Sequence, residues 1–206
     1  MSELCIKLKS DLEHYFSMPF DVSSSLVDGE ERYTCSPSNE GAMLFNVNAY
    51  IHNHIRLIIE IYPQKHGGYI LDEMASAEED KRKRFKMCKE MLEDNGAKVK
   101  FLVNGSDVFD HEWPDIWRSF KCKIVLVPIP DTDDSEKEYS VISEWMKYGF
   151  DFIFSLLTIT DIEETKDKVT SIQTEGTPTE VRSIRYQRNP INRQLCLHRK
   201  GYNCAV

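Results

Sequence analysis

The segment from residue 136 to residue 157 constrains the fold more than any other part of the chain. Its large apolar side chains recur at helical spacing and are Ile142, Trp145, Met146, Phe152, Ile153, Leu156 and Leu157. A helix with this much apolar surface has to be covered by other elements. The segment therefore predicts a long buried helix that needs a sheet or further helices packed against it.

The preceding 130 residues contain segments that could cover such a helix. Amphipathic spacing predicts two helices, over residues 3–16 and 77–94. The first helix is expected to end in a polar stretch, Met18 to Ser25. Extended or apolar patterns predict strands at 31–35, 42–47, 54–62, 98–103 and 122–128, the last as an inner strand. This order predicts an α+β fold with a mixed or antiparallel sheet and a long buried C-terminal helix.

The composition changes after Leu157. Residues 158–180 contain no aromatic residue and are rich in Thr, Glu and Lys, which predicts an exposed linker. We therefore expect an α+β body over residues 1–157, a linker over 158–180, and a separate C-terminal part over 181–206.

The C-terminal part is basic, whereas the rest of the chain is acidic. Residues 181–206 hold six of the 26 Lys and Arg residues and none of the 34 Asp and Glu residues, so the remaining 180 residues carry a net charge of −14. The six basic residues are Arg182, Arg185, Arg188, Arg193, Arg199 and Lys200. They are the candidate nucleic-acid-binding residues, with solvated surface charge as the alternative. An acidic body repels a polyanion unless its cations cluster on one face, and residues 81–89 (KRKRFKMCK) are a candidate face.

The C-terminal part also carries a short helix signal. Asn189 suits an N-cap, Pro190 suits the first helical position, and Gly201 suits the position just past the end. These three residues, together with cations in the last turn, predict a short basic helix over residues 190–200.

Seven positions in this region follow one spaced pattern: Tyr186, Arg188, Asn189, Arg193, Cys196, Gly201 and Cys204. The pattern resembles the beginning of an HNH endonuclease domain of the restriction type, in which a variable N-terminal domain precedes the nuclease. That family continues with a second knuckle cysteine, which would fall one position beyond Val206, and then with the catalytic histidines and a second cysteine pair. The resemblance therefore implies a nuclease truncated within its first zinc knuckle.

The resemblance has consequences for function. It implies a structural zinc, with Cys204 as one ligand, and a catalytic divalent metal in an intact parent, but no cofactor in this chain. HNH cleavage needs a histidine that activates water and a metal that stabilises the phosphate charge. We therefore assign no catalytic residue and expect this chain alone to be inactive. The body is expected to be the DNA-recognition domain of a restriction-modification nuclease, or alternatively a protein- or ligand-binding sensor that regulates it.

Other sequence features concern the location of the protein, its cysteines and its remaining candidate residues. The sequence has no apolar run long enough to span a membrane and no secretory signal, so a cytoplasmic location without a membrane partner is expected. Its six widely spaced cysteines are interpreted as reduced thiols. A homodimer is left open. His52 and His54 are interpreted mainly as solvated or partly buried histidines rather than metal ligands, and Trp113 and Trp117 mainly as packing residues rather than a base-stacking pair.

Overall fold

The computed structural model describes residues 3–38, 45–65, 67–109, 111–129 and 135–157. The strands are β1 (Phe20–Val27), β2 (Glu30–Pro37), β3 (Phe45–His52), β4 (Arg56–Pro63), β5 (Ala97–Val103), β6 (Ser106–Asp107) and β7 (Phe120–Leu126). The helices are α1 (Glu3–Phe16), α2 (Gly68–Ala75), α3 (Glu79–Asp94) and α4 (Ser135–Phe154). The strands form one antiparallel sheet in the order β1-β2-β3-β4-β7-β5-β6, so the predicted α+β class with an antiparallel sheet is confirmed.

The first four strands form a meander. Asp28 and Gly29 both have positive φ, as the two-residue turn between β1 and β2 requires, and Gly is the residue that adopts this conformation most easily. After β4 the chain passes through α2 and α3 and forms β5 one place away from β4. Strand β7 then fills the gap and pairs with both β4 and β5. The predicted inner strand is therefore confirmed.

Helices α1, α4 and α3 cover one face of the sheet. The ring of Phe150 in α4 lies 5.0 Å from that of Phe20 in β1 and 5.8 Å from that of Phe45 in β3. Farther along the sheet, the ring of Phe85 in α3 lies 5.0 Å from that of Phe101 in β5. These aromatic contacts belong to one continuous buried core that extends to Leu157. The long buried helix predicted over 136–157 is confirmed and ends at Phe154.

The main error in the predicted elements concerns the stretch after α1. Residues 18–25 were expected to be a polar ending of the helix, whereas most of them lie in β1. Phe20 and Val22 are buried beneath the helices, and the three serines that follow are exposed. Such a half-polar edge strand has little apolar alternation to indicate it. The linker and the basic helix predicted for residues 158–206 lie outside the described residues.

Candidate nucleic-acid interface

The six candidate nucleic-acid-binding residues identified from the sequence lie in the C-terminal part of the chain. Residues 182–200, with their five arginines and Lys200, lie outside the described residues, as does the candidate zinc ligand Cys204. The helix predicted over 190–200 and the linker over 158–180 lie there too. Any interface among the described residues therefore belongs to the body, residues 1–157.

The basic segment 81–89 forms most of helix α3, but acidic neighbours neutralise much of its charge. Three of its lysines lie within 4.0 Å of a carboxylate: Lys81 of Glu73, Lys83 of Glu79 and Lys89 of Glu93. The guanidinium of Arg82 donates to the carbonyl of Ala77 at 2.7 Å and lies over the ring of Trp113. This helix face is consequently a weak candidate for a polyanion.

A stronger cluster of cations lies on the sheet. We call the side turned away from α1, α3 and α4 the outer face. Because alternate residues of a strand point to opposite faces, the buried residues of β5 and β7 face the helices, and the residues between them face outward. Four of these outward residues are lysines, which we call the lysine column: Lys98, Lys100, Lys121 and Lys123.

The strand register fixes how the column is arranged. Lys100 lies directly opposite Lys123, while Lys98 lies opposite Val125 and Lys121 lies opposite Leu102. The column therefore crosses three successive rows of the β5–β7 pair, and every row holds at least one ammonium group. Lys98, Lys100 and Lys121 are exposed, and Lys123 is partly buried.

A carboxylate lies on each side of the column. On the β4 side, Glu60 pairs in register with Lys123, and its Oε1 lies 3.5 Å from Lys123 Nζ and 3.9 Å from Lys121 Nζ. On the β6 side, Asp107 pairs in register with Leu102, and its carboxylate accepts from the backbone N–H of Phe109. Within the described part of the chain, Lys98 and Lys100 have no carboxylate within 4.0 Å. The column thus keeps an excess of positive charge between two acidic borders.

The far side of the outer face is occupied by groups that pair with one another. The guanidinium of Arg32 lies over the ring of Tyr50 and 3.9 Å from Glu30. The other oxygen of Glu30 lies 2.6 Å from His52 Nδ1, so this histidine has a carboxylate partner. Among the residues that the structure describes, no group of three His, Cys, Asp or Glu side chains is arranged to hold a metal ion.

A second concave feature lies between α1 and α4. This groove has a volume of about 550 Å³ and a polar lining. Its polar groups already contact one another: Tyr139 donates to Asp11 at 2.5 Å, Ser143 donates to the same oxygen at 3.2 Å, and Lys7 contacts Glu136 at 2.9 Å. These contacts join the two helices, so we interpret the groove first as a polar seam.

The carboxyl of Asp151 is buried near this groove. It is 2% exposed, and its Oδ2 accepts from the Tyr15 hydroxyl at 3.0 Å, whereas its Oδ1 has no hydrogen-bond partner. Burial raises the pKa of Asp151 to about 7, although the hydrogen bond from Tyr15 opposes the shift. This carboxyl therefore changes charge near neutral pH inside the core.

The remaining candidates from the sequence have structural roles. Trp113 donates its indole N–H to the carbonyl of Ala75, and Trp117 donates to the carbonyl of Pro114, while both rings pack near Phe85 and Phe101. Their interpretation as packing residues is confirmed. The four cysteines among the described residues are buried and form no disulfide with one another, in agreement with reduced thiols: Cys5, Cys35, Cys88 and Cys122.

The sequence carries a signal for the lysine column, although the basic residues predicted to bind nucleic acid do not include these four lysines. Residues 97–103 (AKVKFLV) and 120–126 (FKCKIVL) each place two lysines at alternate positions. That spacing puts both lysines of a strand on one face. The inner strand predicted over 122–128 begins after Lys121, so only Lys123 of the second pair lies within its bounds. The pairing of β5 with β7, which joins the two pairs, cannot be read from either segment alone.

Comparison with known proteins adds no relative: no family model, no curated protein and no solved structure matches the chain. Within its described part, no helix has both the length and the apolar character needed to cross a membrane.

Proposed function

We propose that residues 1–157 are the nucleic-acid-recognition part of an HNH-type restriction nuclease and that the outer face of the sheet is the binding surface. The observation that carries this proposal is the lysine column on β5 and β7. The resemblance of residues 186–204 to the beginning of an HNH domain supports DNA as the nucleic acid. A cytoplasmic location, where such DNA is found, belongs to the same proposal.

The net charge of the chain does not oppose this function, because binding depends on local charge. Residues 1–180, with a net charge of −14, attract a polyanion only where their cations are grouped and their acids lie elsewhere. The lysine column meets the first condition, and only Glu60 lies within 4.0 Å of it among the carboxylates of the described residues. In addition, Lys100 and Lys123 repel each other across the two strands. A bound phosphate would relieve that repulsion.

Two double variants of the full chain, with equal loss of charge, test the proposal. K98Q/K100Q removes half of the lysine column, and K83Q/K86Q removes two exposed lysines of α3. Binding to a labelled 20-nucleotide DNA, single-stranded and duplex, is measured by fluorescence anisotropy from 50 to 300 mM salt. We expect K98Q/K100Q to lose about tenfold in affinity and to lower the salt slope by about 1.5, since each lost phosphate contact removes about 0.7–0.9.

The matched variant decides how that result is interpreted. K83Q/K86Q should bind both DNAs within about twofold of the unmodified chain, because α3 lies on the opposite side of the sheet. Equal losses in the two variants would mean that only the overall charge matters, and the outer face would then have no special part. If neither variant lost affinity for DNA, the proposal that the outer face of the body binds DNA would be wrong.

A sensor that binds a small ligand is the second candidate function, and the groove between α1 and α4 favours it. Its volume of about 550 Å³ lies within the range of small-molecule sites. It ranks second because Asp11, Tyr139 and Ser143 already satisfy one another there. A Ser140→Leu substitution, at an exposed position of the groove lining, should leave DNA affinity unchanged if the outer face is the functional surface.

A further inference from the structure

The spacing of the lysine column determines how many phosphates it can meet. Two residues along an antiparallel strand span about 7 Å, so the three rows of the column are about 7 Å apart. Neighbouring phosphates along one nucleic-acid strand are separated by a similar distance. Lys98 occupies the first row, Lys100 and Lys123 share the second, and Lys121 occupies the third. The column therefore matches three consecutive phosphates of one strand.

The borders of the column do not suit a second backbone beside the first. The two backbones of a duplex are separated by grooves about 6 and 12 Å wide, so a duplex lying along the face needs two lines of cations. Glu60 lies on one side of the column and Asp107 on the other. Farther across the sheet, Arg32 is paired with Glu30 and stacked on Tyr50. Arg56 at the start of β4 is a further single cation on this face, so the described residues offer one line of cations and no second line beside it.

The positions between the lysines provide a surface for bases. Leu102 and Val125 occupy the column positions that have no lysine, and both are partly buried. Ile58, which pairs with Val125 on the β4 side, is buried and is not part of this surface. Leu102 and Val125 lie within one strand spacing of the ammonium groups. An unpaired base, whose faces are apolar, can rest on them without any requirement for its sequence.

We propose that the lysine column binds one unpaired strand of nucleic acid and that Glu60 limits this binding track on the β4 side. This inference rests on the proposed function and narrows its ligand from DNA in general to a single strand. In the free protein the carboxylate of Glu60 contacts the ammonium groups of Lys121 and Lys123, as a phosphate would in the complex. The strand has to displace this carboxylate, so Glu60 is a positioning residue that weakens binding and limits it to the column.

Single substitutions in the full chain test the row arrangement. The probe is a labelled twelve-nucleotide oligothymidine, compared with the same strand paired to oligoadenosine. We expect the unpaired strand to bind at least about fivefold more tightly than the duplex, with each contacted phosphate adding about 0.7 to its salt slope. K98Q and K121Q each empty a row and should cost more affinity than K100Q, which leaves Lys123 in the same row.

Glu60→Gln tests the border, with Glu90→Gln on the exposed side of α3 as the matched control. E60Q should bind the single strand about three- to fivefold more tightly, since the lysines no longer have a competing carboxylate, and E90Q should not change it. Tighter binding of the duplex than of the single strand, or equal affinities of E60Q and E90Q, would contradict the proposal that the column binds one unpaired strand. If the lysine variants still lost binding in that case, only this inference would fail. If they bound normally, the proposed function would fail with it.

Discussion

At the scale of single residues, Asp151 is the most unusual group in the core. It belongs to α4, is 2% exposed, and its carboxyl receives one hydrogen bond, from Tyr15. The pKa of Asp151 is raised from 3.8 to about 7, so the folded protein holds a proton between these values that the unfolded chain has lost. Its contribution to stability is therefore fully present below pH 4 and is lost as the pH rises through about 7.

Asp151→Asn should remove this pH dependence while keeping an acceptor for Tyr15. We expect D151N to raise the free energy of unfolding at pH 8.5 by on the order of 3 kcal/mol more than at pH 5, because the cost of the buried carboxyl grows as the pH rises from 5 to its pKa of about 7. Urea denaturation at the two pH values measures the difference. Glu90→Gln, an exposed control, should give parallel curves, and a D151N variant that is less stable at pH 8.5 would contradict the argument.

Gly149 shows a different constraint at the same scale. A Cβ atom at this position would lie 3.1 Å from Ile59 Cγ2 and 3.5 Å from Val47 Cγ1, so α4 approaches β3 and β4 closely here. We expect Gly149→Val to destabilise the fold by on the order of 2 kcal/mol through overpacking. Ser140→Val, on the exposed side of α4, introduces the same side chain without that contact and should cost much less in thermal unfolding.

At the scale of elements, the pairing of β5 with β7 links stability to binding. Lys100 and Lys123 are direct cross-strand neighbours, and like charges in that position are destabilising. We expect Lys100→Gln to raise the free energy of unfolding by about 0.5 kcal/mol at low salt while it weakens anion binding. The gain should disappear above about 0.5 M salt because the repulsion is screened. Lys86→Gln on α3 is the control, and a gain of equal size there would point to overall charge instead.

The elements also show what the sequence can and cannot predict. Helix α4 and strand β7 were predictable because their apolar residues are numerous and regularly spaced. Strand β1 was missed because its serines conceal the alternation, although the Asp28-Gly29 turn that follows is a typical hairpin signal. The lysine column depends on β7 inserting between β4 and β5. This pairing joins segments that are far apart in sequence, and no local pattern determines it.

At the scale of the whole molecule, the proposed recognition surface and the proposed catalytic part are separate in sequence. The lysine column lies between residues 98 and 123, whereas the resemblance to an HNH domain begins at Tyr186. Binding by the body therefore does not require the groups that cleave. HNH cleavage needs a water-activating histidine and a divalent metal, and the seven residues that carry the resemblance include no histidine.

The 206-residue chain should consequently bind DNA without cutting it. We expect a labelled DNA, single-stranded or duplex, to remain intact after prolonged incubation with the purified chain and Mg²⁺, Mn²⁺, Ni²⁺ or Zn²⁺, because the described residues contain no group of three His, Cys, Asp or Glu side chains that could hold a metal ion. Gel electrophoresis under denaturing conditions measures cleavage, and anisotropy on the same sample measures binding. Cleavage that K98Q/K100Q loses and K83Q/K86Q retains would contradict this expectation, since the activity would then belong to the outer face itself. Cleavage that both variants retain equally would point to a contaminating nuclease, because such an activity would not depend on the surface that holds the DNA.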